Sequence, residues 1–498
     1  MKLLGELVAA AGGTARIVRG APETGIEGIT TDSRAVRPGA LFAALSGRNA
    51  DGHRFLGAAA AAGAAALLVE SGQGAAAPPG FALVEAANLR RALGAMADCF
   101  FNHPSGDLQL VGVTGTNGKT TVTWLLEAIV RAAGRVPGVI GTIVCRWGEL
   151  ERPAGNTTPE APELQRLLRE MADAGAQVVA LEASSHALEL DRLVGCRFAV
   201  AVFTNLGRDH LDFHRGLEAY GAAKAKLFTE FAPGASVINA DDPFGARLIA
   251  AVGGNVITYG LGETAALRAV EIAADVAGVR FVIAAEGQRL PIVSPLIGAH
   301  NVANILAAAA AARALGLSWD AVQAGVAACA LVPGRFERVG AGAGAGAGPL
   351  VLVDFAHTPE AVENALRVAR GLCRGNLAIV LGCGGERDRG KRPLMGAAAA
   401  RLADRVYVTS DNPRSEEPSA ILAQIVGGAR DSGGMAELQV IEDRRAAIRA
   451  AIRDSGVGDL VLIAGKGHEA TQVVGQGARP FSDREEARRA LEEFGCPA

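Results

Sequence analysis

The chain has 498 residues, of which half are hydrophobic and a fifth charged, and its formal net charge is −3. Global disorder is excluded, because it needs low hydrophobicity together with high net charge. The balance of 49 basic and 52 acidic residues argues against a dedicated nucleic-acid or membrane-surface binder. At roughly 150 residues per domain, this length suggests about three domains.

The cysteine pattern and the first residues indicate where the protein works. Seven cysteines are present and none forms a Cys-x-x-Cys pair, which argues against a disulfide framework or a zinc site. The start faintly resembles a signal peptide, but Glu6 interrupts its apolar run and the leucines follow helical spacing. We therefore expect an N-terminal amphipathic helix and a cytoplasmic protein, with no apolar run of the ~18 residues that a membrane span needs.

Hydrophobic patterns along the chain predict an α/β protein. Helices are predicted over 56–66 and 122–133. Strands are predicted over 65–69, 108–113, 178–181, 199–204, 236–239, 350–354, 377–382, 405–409 and 460–464. Strands that alternate with helical segments favour mostly parallel, doubly wound sheets. The Gly-Ala repeat at 340–348 has no side chains to pack, so we expect a flexible hairpin tip or loop insertion there.

These patterns divide the chain into three expected domains. Residues 1–107 form a small α/β unit, and residues 108–334 begin with a strand, a Gly-rich loop and a helix. Residues 335–498 alternate strands and helices again. The expected architecture is a central domain with a P-loop-type, mostly parallel sheet, followed by a Rossmann-like C-terminal domain.

The strongest chemical signal is the segment Gly112-Val-Thr-Gly-Thr-Asn-Gly-Lys-Thr120. A strand that ends in a Gly-rich loop and then opens a helix presents backbone N–H groups to phosphate. Lys119 would reach the outer phosphates of a nucleotide, and the Thr120 hydroxyl would bind Mg²⁺. The strict P-loop pattern requires glycine at position 113, where this chain has valine.

That offset resembles the loop of the Mur ligase family, whose members form amide bonds by ATP-driven activation of a carboxylate. Six further segments match the family in order and spacing as far as residue 360. They are Leu181-Glu-Ala-Ser-Ser-His186, Thr204-Asn-Leu-Gly-Arg-Asp-His-Leu-Asp-Phe-His214, Tyr220-Gly-Ala-Ala-Lys224, Gly298-Ala-His-Asn-Val-Ala-Asn304, Pro333-Gly-Arg-Phe-Glu337 and Asp354-Phe-Ala-His-Thr-Pro359.

The resemblance implies a site for ATP and Mg²⁺ in the central domain. The implied catalytic residues are Lys119, His210 and Lys224, and the last resembles a lysine that is carbamylated in this family. The implied metal ligands are Thr120, Glu182, His210 and Lys224. The implied ATP contacts are Gly115, Thr116, Asn117, Gly118, Lys119, Thr120, Thr121, Asn301, Arg335 and Asp354.

Each of these residues also has an ordinary structural interpretation. Taken alone, Lys224 would be a lysine on a helix surface, and His210 would be a structural histidine. Asn301 and Asn304 stand at the start of an Ala-rich helix and would cap it. Arg335 and Asp354 would form an ion pair between domains.

Segments nearer the N-terminus resemble the branch of the family that adds the third residue of the peptide. Thr31-Asp-Ser-Arg34 and Gly47-Arg-Asn-Ala-Asp-Gly52 are similar to its uridine-binding loops, and Asn156-Thr-Thr-Pro159 to its muramyl segment. The implied contacts to the uridine nucleotide are Thr31, Ser33, Arg48, Asn49, Ala50, Asn156, Thr157, Thr158, Ser184 and Arg192. Leu190 stands where this branch often has glutamine, so we expect that contact to be missing.

Three C-terminal segments resemble the acceptor site of enzymes that add meso-diaminopimelate rather than lysine. They are Gly382-Cys-Gly-Gly-Glu-Arg-Asp388, Asp411-Asn-Pro-Arg414 and Gly465-Lys-Gly-His-Glu469. The implied contacts are Arg387, Asp411, Asn412, Pro413, Arg414, Gly465 and Glu469. A guanidinium at 414 suits the distal carboxylate of diaminopimelate, and a carboxylate at 469 suits its distal ammonium. Taken alone, Asp-Asn-Pro-Arg is also a good turn.

The resemblance therefore implies ATP-dependent addition of meso-diaminopimelate to UDP-N-acetylmuramoyl-L-alanyl-D-glutamate, a step of peptidoglycan precursor synthesis. We expect a monomer that binds neither nucleic acid nor membranes. Three alternatives stay open: the same ligase with lysine as acceptor, a folylpolyglutamate synthase, and a P-loop ATPase that couples hydrolysis to motion or regulation. The folylpolyglutamate alternative leaves the N-terminal uridine-type segments without a role.

Overall fold

The computed structural model describes residues 1–47, 50–340 and 348–496. Three large sheets organise this part of the chain, and each is built from one continuous stretch of sequence. Helices cover both faces of each of these three sheets, as expected when strands alternate with crossover helices.

The N-terminal sheet has five strands in the order β2-β7-β6-β5-β4. Helices α1 and α3 pack on one face and α2 on the other. The strands of this part are β1 Lys2–Leu3, β2 Ala15–Arg19, β3 Gly25–Ile26, β4 Gly28–Thr30, β5 Ala40–Ala43, β6 Ala66–Glu70 and β7 Ala82–Ala86. The helices are α1 Leu4–Ala10, α2 Leu56–Ala61 and α3 Leu89–Phe100, with 3₁₀ turns at Ser33–Ala35, Gly52–Phe55, Gly74–Ala76 and Pro104–Gly106.

The central sheet has eleven strands in the order β11-β10-β9-β12-β8-β13-β14-β15-β16-β17-β18. Its middle is parallel, and antiparallel strands extend it at both edges. The strands are β8 Gln109–Thr114, β9 Pro137–Ile140, β10 Val144–Trp147, β11 Leu150–Pro153, β12 Val178–Glu182, β13 Val200–Phe203, β14 Ala235–Asn239, β15 Val256–Gly260, β16 Leu267–Asp275, β17 Gly278–Ala285 and β18 Gln288–Ser294.

Helices on the two faces of the central sheet enclose two hydrophobic cores. The helices are α4 Lys119–Ala132, α5 Ala161–Asp173, α6 Ser185–Glu189, α7 Leu217–Thr229, α8 Pro243–Ala251, α9 His300–Ala314 and α10 Trp319–Ala328. Helix α9 is buried on almost every side, and its alanines 307–312 are fully buried. Small side chains all round this helix let the sheet and the neighbouring helices approach it closely.

The C-terminal sheet has the order β19-β20-β24-β21-β22-β23 and is parallel except for β19. Its strands are β19 Glu337–Val339, β20 Leu350–Asp354, β21 Leu377–Leu381, β22 Arg405–Val408, β23 Glu437–Val440 and β24 Leu460–Ala464, and a separate hairpin joins β25 Thr471–Val474 to β26 Gly477–Pro480. The helices are α11 Pro359–Leu372, α12 Lys391–Leu402, α13 Pro418–Asp431, α14 Arg444–Arg453 and α15 Asp483–Glu493.

The predicted α/β class is confirmed, and each predicted strand is present with its ends moved by no more than one residue. The helix predicted over 56–66 ends at Ala61, because Gly63 adopts a left-handed conformation that stops it. The antiparallel strands β10, β11, β17 and β18 were not predicted. Most of the Gly-Ala tract lies outside the described residues. In the part of the chain that the structure describes, no helix is long and apolar enough to cross a membrane.

A fully buried ion pair joins helices α14 and α15 in the C-terminal unit. Arg444 donates two hydrogen bonds of 2.7 Å to Asp483, and a third of 2.8 Å to the carbonyl of Ala464 at the end of β24. Both charged side chains are completely buried. Removing one partner would leave the other charge in the core without compensation.

We therefore predict that Arg444→Met lowers the free energy of unfolding of this unit by about 3–5 kcal/mol. Arg449→Met is the matched control, since Arg449 lies on the same helix in an exposed pair with Glu493. The control should cost less than about 1 kcal/mol. Urea unfolding of the full chain measures both, and equal losses in the two variants would contradict the prediction.

Candidate active site

The predicted nucleotide segments meet at the carboxyl ends of three neighbouring strands. Strand β8 lies between β12 and β13, at the point where the chain order of the sheet changes direction. In open α/β sheets, such a change of direction opens a crevice at the carboxyl ends of the strands, and ligands bind there. It brings together the Gly-rich loop after β8, Glu182 at the end of β12, and the segment 204–210 after β13.

The Gly-rich loop packs tightly against the segment after β13. The backbone N–H of Thr116 donates to the Asn205 carbonyl at 2.8 Å, and that of Asn117 to the Asn205 side chain at 2.9 Å. A Cβ at Gly115 would lie 1.8 Å from the Thr204 hydroxyl. The loop therefore requires glycine at this position for steric reasons as well as for its positive φ of 147°.

Helix α4 begins directly at the end of this loop. Gly118, at its N-cap, has a φ of 90°, and no side chain caps the first turn. The free N–H groups and the positive end of the helix dipole suit a phosphate group. Thr120 and Thr121 are buried in this turn.

Two lysine amines converge on the Gly-rich loop. Lys119 donates hydrogen bonds of 2.9 Å to the carbonyls of Gly115 and Thr116. Lys224, from helix α7, donates one of 2.8 Å to the same Gly115 carbonyl and lies 4.1 Å from the centre of the Tyr220 ring.

Lys224 is buried, so its interpretation as a surface lysine is wrong. Burial, followed by the charge of nearby Lys119, holds the pKa of the Lys224 amine well below its usual range. The pKa of Lys119 is also lowered by burial, although the carboxylates of Glu182 and Asp209 oppose the shift.

The carboxylate of Glu182 is buried and held by one residue of the turn after β9. Thr142 donates to Glu182 Oε1 from its backbone N–H and to Oε2 from its hydroxyl, each at 2.9 Å. Each carboxylate oxygen keeps a second lone pair for a further ligand.

His210 lies in a small aromatic cluster beside Lys224. Its backbone has a φ of 54°, and its ring packs edge-on at 4.7 Å from His186. Its Nε2 lies 3.3 Å from the carboxylate of Asp209. Burial lowers the pKa of His210, although the Asp209 charge opposes the shift, so the neutral ring that can act as a ligand is favoured.

The two asparagines of helix α9 do not cap it, contrary to their ordinary interpretation. The Asn301 side chain donates to the Ile297 carbonyl, and Asn304 donates to Asn301 Oδ1, both at 2.9 Å. A Cβ at Gly118 would lie 2.4 Å from Asn304 Oδ1. Asn304 therefore packs directly behind the N-cap of α4 and positions it, a role that the sequence did not indicate.

Arg335 and Asp354 connect the C-terminal unit to this loop. Arg335 donates to the Thr120 hydroxyl at 3.2 Å and lies 4.6 Å from the centre of the Phe355 ring. Asp354 accepts backbone N–H groups of Phe336 and Ala356 at 2.9 Å. The two side chains form no direct ion pair within the described structure; each orients part of the interface instead. Burial raises the pKa of Asp354 and lowers that of Arg335.

These donors suit Mg²⁺ only in the company of phosphate. No cluster of three or more His, Cys, Asp or Glu side chains that could hold a metal occurs in the described ranges. One buried carboxylate, one hydroxyl and one neutral imidazole are too few for six-fold coordination. Mg²⁺ in proteins typically takes one or two carboxylates and completes its shell with substrate phosphates and water, and the vacant lone pairs of Glu182 suit that arrangement.

The predicted muramyl contacts gather around the end of β12. Thr158 donates to the Glu182 carbonyl at 2.7 Å and lies 3.0 Å from the Ser184 hydroxyl. Arg192 donates to the Thr158 carbonyl at 2.9 Å and pairs with Glu160 at 2.7 Å. Glu160 also pairs with Arg90 of the N-terminal unit at 3.1 Å.

The predicted uridine contacts are only partly described. Thr31, Ser33 and Ala50 lie in the N-terminal unit, and none of the hydrogen bonds between described residues joins them to the muramyl cluster. Arg48 and Asn49 lie outside the described residues. Asn156 is exposed beside the half-buried Thr157.

The predicted acceptor segments form a second crevice at the carboxyl ends of β21, β22 and β24. Arg414 has a φ of 55° and donates to the Gly385 carbonyl at 2.7 Å. A Cβ at Gly465 would lie 2.8 Å from the carboxylate of Asp411. Arg387 is exposed at the rim, whereas Pro413 is buried.

A buried lysine orients two of these predicted acceptor contacts. Lys466 donates to Asn412 Oδ1 at 3.1 Å and to Glu469 Oε2 at 2.8 Å. Asn412 donates its side-chain amide to the same Glu469 oxygen at 2.8 Å. Among the described residues, Glu469 Oε1 accepts no hydrogen bond, which leaves it available to a ligand. The Gly-Lys-Gly-His-Glu segment pointed to this lysine, but not to its role.

Comparison with known proteins now places the chain. The Mur ligase middle-domain model matches residues 113–312, the Mur ligase glutamate ligase domain model matches 334–467, and the Mur ligase family catalytic domain model matches 25–94. The chain belongs to the Mur ligase family. The family resemblance carried by the Gly-rich loop and the six later segments is thereby confirmed.

Curated relatives within the Mur ligase family match almost the whole chain. One from Geobacter metallireducens, named UDP-N-acetylmuramoyl-L-alanyl-D-glutamate--2,6-diaminopimelate ligase, is 45% identical over 94% of both chains. A relative of the same name from Geobacillus kaustophilus is 43% identical over 94% of this chain and 96% of its own.

Solved structures show the same three-unit Mur ligase fold. A structure of a UDP-N-acetylmuramoyl-L-alanyl-D-glutamate--2,6-diaminopimelate ligase is 34% identical, covers 99% of both chains and has a TM-score of 0.68. A folylpolyglutamate synthase from Mycobacterium tuberculosis, with 21% identity and a TM-score of 0.60, covers 81% of this chain and 95% of its own. That likeness concerns the fold alone.

Proposed function

We propose that this Mur ligase joins meso-diaminopimelate to UDP-N-acetylmuramoyl-L-alanyl-D-glutamate with ATP, in peptidoglycan precursor synthesis. The observation that carries the proposal is the second crevice, where Arg414 and Asn412, which follow β22, lie beside Glu469, which follows β24. Relatives with 43–45% identity named for this reaction support it. We further propose that residues 1–107 bind uridine, 108–334 bind ATP and 335–498 bind the amino acid.

The reaction consists of two displacements. The side-chain carboxylate of the bound D-glutamate attacks the γ-phosphorus of ATP, which releases ADP and forms an acyl phosphate. The amine of diaminopimelate then attacks the acyl carbon, phosphate leaves, the nitrogen loses a proton and the amide remains. Neither displacement requires a covalent bond to the protein, so positioning and charge neutralisation supply the acceleration.

The Gly-rich loop supports the first displacement. Its helix N-terminus would hold the phosphates, and Lys119 would leave the loop carbonyls to neutralise the transferring group. Arg335 already reaches Thr120 from the C-terminal unit, so it can approach the same phosphates when ATP is bound. Asn301 and Asn304 hold the start of helix α4 from behind.

Thr120, Glu182 and His210 would hold Mg²⁺, with Lys224 as a carbamate. Mg²⁺, when bound, neutralises phosphate charge and polarises the phosphoryl oxygens. The lowered pKa of Lys224 favours the neutral amine, which is the form that adds CO₂. A carbamate puts an anionic oxygen donor in place of the amine and so offsets the positive charge of neighbouring Lys119.

The alternatives differ in what they require of the chain. Lysine lacks the distal carboxylate of diaminopimelate, so a lysine acceptor would leave Arg414 without that partner. A folylpolyglutamate synthase shares the fold, but would give the N-terminal unit no uridine to bind. A P-loop ATPase would release phosphate without an amino acid.

The deciding experiment measures phosphate release with each substrate omitted in turn. We expect release only when ATP, the uridine nucleotide and diaminopimelate are all present, with lysine a poor substitute. Lys119→Ala should abolish turnover yet still bind the uridine nucleotide, because that site is built from other segments. Phosphate release from ATP alone would contradict the proposal, and so would near-normal turnover in the variant.

A second prediction concerns Lys224. Lys224→Ala should be nearly inactive, and short carboxylates such as acetate or propionate should partly restore activity, because a free carboxylate can replace the carbamate oxygens. Lys226→Ala is the control, since Lys226 lies on the same helix but pairs with Glu189 at the surface. Electron density beyond the amine of Lys224 in a substrate-bound crystal tests the modification directly; an unmodified amine there would refute it.

A third prediction assigns acceptor choice to Arg414. Truncation of one partner of a buried charge pair typically costs ~2–5 kcal/mol, and 1.4 kcal/mol is tenfold in affinity. Arg414→Ala should therefore raise the KM for diaminopimelate at least roughly tenfold, whereas the KM values for ATP and the uridine nucleotide should hardly change.

Steady-state kinetics with one substrate varied at a time measure the effect of Arg414→Ala. Arg430→Ala, an exposed arginine of the same unit, is the control. An unchanged KM for diaminopimelate in Arg414→Ala would overturn the assignment of the acceptor, as would a wild type that takes lysine equally well.

A further inference from the structure

Thr142 joins two parts of the site that the sequence treats separately. It stands in the turn between β9 and β10, where its backbone N–H and its hydroxyl each contact one oxygen of Glu182 at 2.9 Å. The same hydroxyl lies 3.1 Å from that of Thr157, in the muramyl segment. One side chain thus contacts both the buried carboxylate and a predicted substrate contact.

The direction of these hydrogen bonds follows from their chemistry. An ionised carboxylate only accepts hydrogen bonds, so the Thr142 hydroxyl must donate its proton to Glu182. Because that hydroxyl has a single proton, Thr157 must be the donor in the contact between the two threonines. The Thr157 proton is therefore engaged, and toward a ligand Thr157 offers only lone pairs.

The turn that carries Thr142 is packed against the carboxylate. A Cβ at Gly141 would lie 2.4 Å from Glu182 Oε1, so the chain approaches as closely as glycine allows. Thr158 adds a second link, from its hydroxyl to the Glu182 carbonyl at 2.7 Å. Glu182 is therefore linked to the 157–158 segment both through its side chain, by way of Thr142, and through its backbone.

We propose that Thr142 is a positioning residue that couples the cation site at Glu182 to the muramyl segment through Thr157. It aims the free lone pairs of Glu182 at the cation that accompanies ATP, and it makes Thr157 a hydrogen-bond acceptor for an N–H or O–H group of the uridine nucleotide. We expect binding at one site to favour binding at the other, and linkage requires the effect to be equal in both directions. This inference rests on the proposed function.

The test measures binding in the absence of turnover. Mn²⁺ replaces Mg²⁺, β,γ-imido-ATP replaces ATP, and electron paramagnetic resonance gives the Kd for Mn²⁺ with and without the uridine nucleotide. Thr142→Val keeps the shape and the backbone N–H but removes the hydroxyl. Loss of a partner that orients a metal ligand typically weakens metal affinity 10–100-fold, so we expect the Mn²⁺ Kd to rise roughly tenfold or more.

Two further variants distinguish the loss of the Thr142 hydroxyl from a general disturbance of the fold. Thr142→Ser restores the hydroxyl and should recover most of the Mn²⁺ affinity and of the coupling to the uridine nucleotide. Thr229→Val makes the same chemical change at the exposed C-terminal end of helix α7, and its Mn²⁺ Kd should stay within about twofold of wild type. The Kd for the imido-ATP without metal should be unaffected in all of them.

A double-mutant cycle tests the route through Thr157. Thr157→Val should weaken Mn²⁺ binding in the wild-type background but have no additional effect in Thr142→Val, because the relay is already broken. Additive effects of the two substitutions on the Mn²⁺ Kd would contradict the coupling through Thr157. An unchanged Mn²⁺ Kd in Thr142→Val, or equal defects in the Val and Ser variants, would overturn the positioning role itself.

The experiment gives one result if the proposed ligase function is wrong and another if only the role of Thr142 is wrong. A wild type that does not bind the uridine nucleotide would contradict the ligase assignment and the coupling, yet the Mn²⁺ titrations would still report whether the Thr142 hydroxyl orients Glu182. A wild type that ligates normally, with Thr142→Val indistinguishable from it in both Kd values, would reject this inference alone.

Discussion

The site depends on the contact between the Gly-rich loop and the segment after β13. The loop has room only because Gly115 lacks a side chain where Thr204 approaches, and Asn205 holds it by three hydrogen bonds. This contact sets where helix α4 starts, and hence where we propose that phosphate binds. It also places the Gly115 carbonyl so that it accepts hydrogen bonds from both Lys119 and Lys224.

Buried positive charge is the second feature on which the site depends. Lys119, Lys224 and Arg335 surround the loop, and burial lowers the pKa of each. Such a concentration of buried positive charge is costly unless anions compensate it. In this protein Glu182 and Asp209 do so only in part, which supports the proposed binding of a polyphosphate at this site.

In the C-terminal crevice, hydrogen bonds with neighbouring groups orient the charged side chains. Lys466 and Asn412 occupy one oxygen of Glu469 and leave the other available, and the Gly385 carbonyl holds the guanidinium of Arg414. Residues held in this way lose little freedom when a ligand binds, which supports the proposed selectivity between acceptors that differ by one carboxylate.

The sequence by itself determined the α/β class, nine of the parallel strands and the Gly-rich loop, because local periodicity and glycine spacing report directly on backbone conformation. Its motifs also led to the family. The burial of Lys224, the packing of Asn304 behind Gly118 and the Thr142 link between Glu182 and Thr157 were decided by the tertiary structure alone. Each of these features depends on which distant residues meet, and the order of strands in the sheet determines that. The pattern of a single sequence does not contain this order.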